Sequence, residues 1–215
     1  MKTTFFATLM LVFAYNLTGQ IRAITEKGDT ILVNKDGTWE YLDADQNVDL
    51  QEVTAVLDTN KQVFVVSPKS TKSLRSELDF FSVKYNADQW ERVPEGTLNE
   101  AAEFAFKIKQ SDVYGLVISE EAGFETRSLF DIAVDNMKEA VDEMEILSSE
   151  VRKVNGKDCI AATIKTKTKG VNIIFHSYYY SCDKGSIQFT AWSIENVYPK
   201  YQGVIEELLN GLLVD

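Results

Sequence analysis

Residues 157–194 read KDCIAATIKTKTKGVNIIFHSYYYSCDKGSIQFTAWSI, and the alternation of side chains in this stretch decides the fold. It predicts three consecutive strands, over Lys157–Lys167, Val171–Ser181 and Ser186–Ile194. The connectors Lys169–Gly170 and Asp183–Lys184–Gly185 have the composition of β-hairpin turns. Strands joined by such turns pair antiparallel, so we expect a meander here.

The middle strand of this meander carries apolar side chains on both of its faces. One face carries Ile173, Phe175 and Tyr179. The other face carries Ile174, Tyr178 and Tyr180. Because a strand of this kind is buried on both faces, other elements must cover it. Two amphipathic helices, predicted over Ser128–Met144 and Tyr198–Leu213, are available for that. The sequence therefore predicts an α+β fold, an antiparallel sheet with helices on both faces (an α/β/α sandwich).

Several phrases follow one another along the chain in a recognisable order. They are FFSVKYNADQW, DVYGLVISEE, SLFDIAVDNMKEAV, VRKVNGKDC, YYYSCDKGSIQF and YQGVIEELLNGL. In this order they resemble the PsbP-like fold group, which includes the extrinsic photosystem II subunit PsbP and many exported bacterial proteins. The resemblance covers Leu78 to Leu213. It implies a module that binds protein partners or helps to assemble complexes, and it transfers no catalytic residue because the group shares no catalytic set.

The first residues, MKTTFFATLMLVFAYNLTGQ, have the pattern of a secretory signal peptide. Lys2 precedes an apolar run over residues 5–15, and small or polar residues lead to an expected cleavage after Gly19. The run is too short for a transmembrane anchor, which needs roughly 20 apolar residues. We therefore expect residues 1–19 to be removed and the mature protein to be exported, periplasmic or secreted, with no stable membrane insertion.

Three further segments follow the signal peptide. Residues 20–42 contain two turn signals between alternating runs and predict a small β-meander, whose DGTWEY phrase resembles a short motif of exported Gram-negative proteins. Residues 43–60 carry five acids and no base, which predicts an acidic linker or one short helix. Residues 61–215 form the main α+β domain.

The two cysteines, Cys159 and Cys182, can form a disulfide in an oxidising compartment. If Gly170–Val171 is the two-residue loop of the hairpin, Lys169 faces Asn172, and the same register places the two cysteines opposite each other. Two buried free thiols are the alternative.

The charge balance excludes two classes of partner. Asp and Glu number 33 against 22 for Lys and Arg, which gives a net charge of −11 at pH 7. Binding to nucleic acid or to anionic lipid needs clustered basic side chains. We therefore expect neither a nucleic acid nor a lipid surface as partner.

The chain also lacks the residue patterns of common enzymes and metal sites. His176 is the only histidine, and the expected register places it opposite Lys165 and away from both cysteines. There is no HExxH motif, no close cysteine pair, no EF-hand spacing and no phosphate-binding glycine loop. We predict a protein that is not an enzyme and has no metal or cofactor. A hydrolase that uses His176 is a third alternative, beside the two non-enzymatic functions described next.

One aromatic cluster is the candidate binding site. His176, Tyr178 and Tyr180 share a face of the middle strand, and Trp192 lies on the next strand. Tyrosine and tryptophan are frequent at binding hot spots, although packing in the core is the more common role of such residues on a central strand. The predicted function is an exported, non-enzymatic interaction or complex-assembly module whose partner is another envelope protein. The alternative is a small-molecule or lipid carrier that uses a cleft between sheet and helix near Tyr178, Tyr180 and Trp192.

When the full chain is expressed in a Gram-negative host, we expect the mature protein to begin at Gln20, because the leader is removed during export. N-terminal peptide mass spectrometry of the periplasmic fraction measures this. A Leu11→Asp variant interrupts the apolar run and should keep the leader. A periplasmic protein that still begins at Met1 would contradict the prediction.

Overall fold

The computed structural model of this protein describes residues 21–24, 30–33, 38–41, 57–123 and 125–215. The strands are β1 (Ile21–Ile24), β2 (Thr30–Val33), β3 (Trp39–Tyr41), β4 (Asp58–Phe64), β5 (Lys72–Arg75), β6 (Phe81–Tyr85), β7 (Trp90–Arg92), β8 (Ala102–Ile108), β9 (Val113–Glu120), β10 (Glu143–Val154), β11 (Lys157–Thr168), β12 (Val171–Cys182), β13 (Gly185–Ile194) and β14 (Leu212–Val214). The helices in the described residues are α1 (Thr126–Ala140) and α2 (Tyr198–Leu209).

Eight strands form the main sheet, in the order β4-β10-β11-β12-β13-β9-β8-β7. Neighbouring strands pair antiparallel, except that β4 pairs parallel with β10. The long strands β10 to β13 follow one another along the chain, and the alternating pattern predicted the last three of them. With two helices packed on this sheet, the α+β class predicted from the sequence is confirmed.

Two tight turns set the register of the long strands. Asn155 and Gly156 have φ values of 47° and 87°, and Lys169 and Gly170 have φ values of 51° and 80°. Two consecutive residues in the left-handed region are the mark of a type I′ turn, whose twist matches that of the strands it joins. The Lys169 backbone N–H donates to Asp142 Oδ2 at 2.7 Å, which helps to hold that residue in its left-handed conformation.

The predicted hairpin register is therefore wrong by one residue in the turn. The loop is Lys169–Gly170 rather than Gly170–Val171, so Thr168 faces Val171. His176 consequently faces Thr163 and not Lys165.

The same shift removes the geometric basis of the predicted disulfide. Cys159 faces Arg152 of β10, and Cys182 faces Gly185 across the next turn. Both cysteines are free thiols in the structure.

The central strand β12 is buried from Ile173 to Tyr179. Its neighbouring residues Tyr178 and Tyr179 belong to different buried clusters, because neighbouring side chains on a strand point in opposite directions. Helix α1 contributes to one cluster of buried residues with the strand residues Ile160, Ala162, Ile164 and Tyr179. Helix α2 contributes to another with Ala161, Ile174, Tyr178 and Phe189. This second cluster also includes Phe81 and Val83 of the three-stranded sheet β14-β6-β5.

Both helices end earlier than their apolar stripes predicted. Val141, which follows α1, has an extended backbone, and Met144 lies in β10. Helix α2 ends at Leu209 because the chain then enters β14, which pairs antiparallel with β6. In each case backbone pairing in a sheet overrides the helical spacing of apolar residues.

The N-terminal strands β1, β2 and β3 form a separate three-stranded antiparallel sheet. The predicted linker over residues 43–60 needs a correction at its end, because Asp58–Asn60 belong to β4 and pair with β10 of the main sheet. Their polar side chains are compatible with a strand here because β4 is an edge strand that is largely exposed. The signal peptide and most of the predicted linker lie outside the described residues.

Within the part of the chain that the structure describes, neither helix has the length and apolar character needed to cross a bilayer.

Two glycines near the C-terminus give a matched test of this packing. A Cβ atom on Gly211 would lie 1.8 Å from the Lys84 carbonyl oxygen, whereas one on Gly203, inside α2, meets no atom within 4 Å. We expect Gly211→Ala to lower the free energy of unfolding by about 1–3 kcal/mol through this clash. Gly203→Ala should raise it by about 0.5–1 kcal/mol, because alanine is the better helix former. Urea unfolding measures both, and equal stabilities for the two variants would contradict the packing described here.

Candidate functional site

The four residues of the predicted aromatic cluster do not form one site. Trp192 faces Phe175 in the β12–β13 register, whereas His176 faces Ala191. Trp192 therefore lies on the opposite side of the sheet from His176, Tyr178 and Tyr180. The sequence identified the strands, but the face on which Trp192 lies depends on a register that is set by the turn between β12 and β13.

His176 is buried and held in place. Its Nδ1 lies 2.8 Å from Thr163 Oγ1, and its ring contacts the edge of Tyr178 with 5.8 Å between ring centroids. Its Nε2 has no hydrogen-bond partner among the described residues. Burial, together with the positive charge of Arg152, lowers the pKa of the imidazole from 6.5 to about 4. His176 is therefore neutral at pH 7 and shielded from solvent.

Tyr178 belongs to a buried polar network that the sequence did not reveal. Arg152 Nη1 donates to the Tyr178 hydroxyl and to Glu206 Oε1, both at 2.9 Å. The Tyr178 hydroxyl in turn donates to Asn210 Oδ1 at 2.8 Å. The Arg152 guanidinium also pairs with Glu150. This network ties β10, β12 and α2 together.

The network provides hydrogen-bond and charge partners for the Arg152 guanidinium, whose burial without partners would cost much free energy. Arg152 is 9% exposed, and an unpaired charge at such a position would be strongly destabilising. Its guanidinium carbon also lies 4.1 Å from the centre of the Phe64 ring, a cation–π contact. Arg152 was not identified from the sequence, because its partners Tyr178 and Glu206 come from distant parts of the chain. The arrangement is typical of a structural network, in which every strong donor is used internally.

Tyr180 and the cysteines complete this side of the sheet. Tyr180 is half-buried, and burial together with the nearby Cys182 raises the pKa of its hydroxyl. Burial raises the pKa of the Cys159 thiol to about 12. A thiol that stays protonated at pH 7 is a poor nucleophile.

On the other side of the sheet, Trp192 lines a cleft below helix α1. The cleft has a volume of about 280 Å³, and its walls are mostly apolar, with Leu116, Met137 and Phe175 among the lining residues. The predicted cleft between sheet and helix thus involves Trp192 and neither Tyr178 nor Tyr180. The indole ring stacks between Phe175 and Tyr114, with 5.8 Å between ring centroids in each case.

A second concave region is polar and acidic. It has a volume of about 480 Å³, and Glu77, Glu95, Glu100 and Glu103 line it together with two arginines. Glu103 accepts hydrogen bonds from Ser76 Oγ at 3.1 Å and from the Glu77 backbone N–H at 2.8 Å. In the described ranges, no group of three or more His, Cys, Asp or Glu side chains is arranged to hold a metal ion.

The N-terminal sheet presents an exposed aromatic pair. Trp39 and Tyr41 lie two residues apart on β3, each with 56% of its surface exposed, and their rings meet edge to face at 5.3 Å. In the described residues β3 is an edge of its sheet, with β2 as its hydrogen-bonded neighbour. The sequence analysis predicted the strand but assigned no role to these two side chains.

Comparison with solved structures supports the fold. PsbP of the cyanobacterium Synechocystis sp. PCC 6803 (CyanoP) superposes with a TM-score of 0.50 and 13% sequence identity, over 70% of this chain and 95% of that one. The chain has a PsbP-like fold. The resemblance seen in the sequence is thereby confirmed for the fold. Searches against protein-family models and against curated proteins give no match.

Two other solved structures are similar at lower scores. A protein from Bacteroides thetaiotaomicron has a TM-score of 0.48 and 14% identity over 68% of this chain. The PsbP-like chain spans about half of that protein, 49% of its length. The Ran-binding protein Mog1p of Saccharomyces cerevisiae has a TM-score of 0.46 and 7% identity, over 66% of this chain and 94% of that one.

The buried histidine makes the stability of the PsbP-like domain sensitive to acid. The unfolded chain binds a proton at His176 below about pH 6.5, whereas the folded chain does so only below about pH 4. Stability is therefore lost as the pH falls through this interval, by about 3 kcal/mol on going from pH 7 to pH 4. Urea unfolding of the wild type and of His176→Gln at both pH values isolates this contribution. The variant should lose correspondingly less stability, and equal losses in the two proteins would refute the assignment.

Proposed function

We propose that this chain is an exported, non-enzymatic interaction or complex-assembly module that binds another envelope protein. The observation that carries the proposal is the exposed pair Trp39 and Tyr41 on β3. Large aromatic side chains bury much area with few rotatable bonds, and they are enriched at binding hot spots. In this chain they lie on an edge strand, where a partner can also pair with the backbone.

We infer further that α1 and α2 cover the two faces of the main sheet as an α/β/α sandwich. The packing of α1 with Tyr179 and of α2 with Tyr178, its neighbour on β12, supports this arrangement. In such a fold the protein's own helices cover the broad faces of the central strands. A protein partner is then recognised by elements outside the sandwich, such as the sheet formed by β1, β2 and β3.

The non-enzymatic part of the proposal rests on the state of the reactive side chains. His176 is neutral, buried and paired with Thr163. Cys159 is buried with its thiol protonated. Neither can reach a substrate from solvent without a rearrangement of the core, and this supports binding rather than catalysis as the role of the chain. The signal-peptide pattern over residues 1–19 supports export and hence a partner in the envelope.

The experiment is site-specific photo-crosslinking in the native envelope. A benzophenone amino acid replaces Tyr41 in one variant and Val63 in a matched control, because Val63 is also a large exposed apolar residue, on the edge strand β4. We expect one discrete crosslinked protein from position 41 and none of the same mass from position 63. Mass spectrometry of the crosslinked band identifies the partner.

The contribution of the aromatic pair is then measured with the identified partner. Trp39→Ala should weaken its binding by at least about thirtyfold, since truncation of an aromatic hot-spot residue costs about 2 kcal/mol or more. Val63→Ala should leave the affinity unchanged. Identical crosslinking patterns at positions 41 and 63, or full affinity after Trp39→Ala, would rule out β3 as the docking surface.

A further inference from the structure

The cleft below helix α1 exists because two stripes of the helix carry side chains of different size. One stripe places Leu129, Phe130 and Val134 in the core. The other, Ala133, Met137 and Ala140, lines the cleft together with Phe175 and Trp192 of the sheet. Alanine side chains are too short to reach the strands, so a space of about 280 Å³ remains.

The lining of this cleft selects an uncharged occupant. No charged side chain lines it in the described part of the chain, and apolar surface predominates. An ion would lose its hydration there without gaining an opposite charge, which is strongly unfavourable. Asn99 and Asn136 supply polar groups, while the Thr190 hydroxyl is already used to donate to Ser177 Oγ at 2.9 Å.

The buried side chain of Trp192 gives a second, independent indication that the cleft binds a ligand. The side chain is 1% exposed, and its Nε1–H has no hydrogen-bond partner among the described residues. A buried donor without an acceptor is destabilising, and native proteins rarely leave one unpaired. Stacking against Phe175 and Tyr114 restrains the ring, so the indole cannot easily turn to find an acceptor elsewhere.

We propose that this cleft is a binding site for a small, uncharged, largely apolar molecule that carries one hydrogen-bond acceptor, such as a carbonyl oxygen. The apolar body of the ligand fills the space between Ala133, Met137 and Phe175, and its acceptor receives the hydrogen bond of Trp192 Nε1–H. The size is adequate, since a dry apolar cavity of about 150 Å³ already holds benzene. This site is separate from β3 and does not depend on the proposed interaction function.

The test compares two probes that differ in the acceptor. Acetophenone has one ring and a carbonyl group, and ethylbenzene has the same ring and a similar shape without the oxygen. In a ¹H–¹⁵N spectrum of the labelled protein, the indole N–H signals of Trp39, Trp90 and Trp192 can be followed separately. We expect acetophenone to move the Trp192 signal saturably and to bind about threefold to tenfold more tightly than ethylbenzene, the effect of one net hydrogen bond.

Two variants make the result specific. Trp192→Phe identifies the resonance by its loss, and it should remove the preference for acetophenone while one-ring probes still enter. Ala133→Leu fills the cleft from the helix side and should abolish binding of both probes, with the folded spectrum retained. If Trp192→Phe does not fold, Ala133→Leu and the pair of probes still decide the question. Three results would overturn the proposal: no saturable shift, equal affinity for the two probes, or a shift confined to Trp39 or Trp90.

Discussion

The register between β11 and β12 is the constraint on which the rest of this structure depends. It is set by the type I′ turn at Lys169–Gly170, and a slip of one residue would exchange the two faces of a strand. Because β12 is buried from Ile173 to Tyr179, such a slip would move every buried side chain of the central strand to the opposite face of the sheet. The backbone N–H of Lys169 is anchored by Asp142 at the start of β10, so the turn is fixed by its neighbour in the sheet.

This register gives the two sides of β12 different chemistry. Tyr178 joins a polar network with Arg152 and Asn210, in which each strong donor has an acceptor. Trp192 on the adjacent strand faces a cleft and keeps an indole N–H without a partner in the described residues. One side of the sheet thus holds a paired network next to His176 Nε2, which is unpaired among the described residues, whereas on the other side the unpaired donor is an indole N–H beside a cleft.

Much of the fold could be predicted because strand alternation and helical stripes are local signals. The long strands β11, β12 and β13 follow from period-two patterning, and the central position of β12 follows from its two apolar faces. The turn assignment failed because Lys169–Gly170 and Gly170–Val171 are equally plausible from composition, and the contact that decides between them comes from Asp142. The site was predicted less well for the same reason. Trp192 and Tyr178 were correctly placed on neighbouring strands, but their faces and the role of Arg152 depend on contacts between residues far apart in the chain.

The parallel strand β4 has a consequence for the order in which this protein can fold. Asn60 of β4 bonds to Glu150 of β10, 90 residues later in the chain, whereas β10, β11 and β12 each pair with the strand that follows. Closing a long loop before other contacts form is entropically unfavourable, so the meander is the earlier structure and β4 the later addition. A ribosome makes β4 first and its partner much later. Because β4 is polar and tolerates solvent, it can remain unpaired during this time without pairing with strands of other chains.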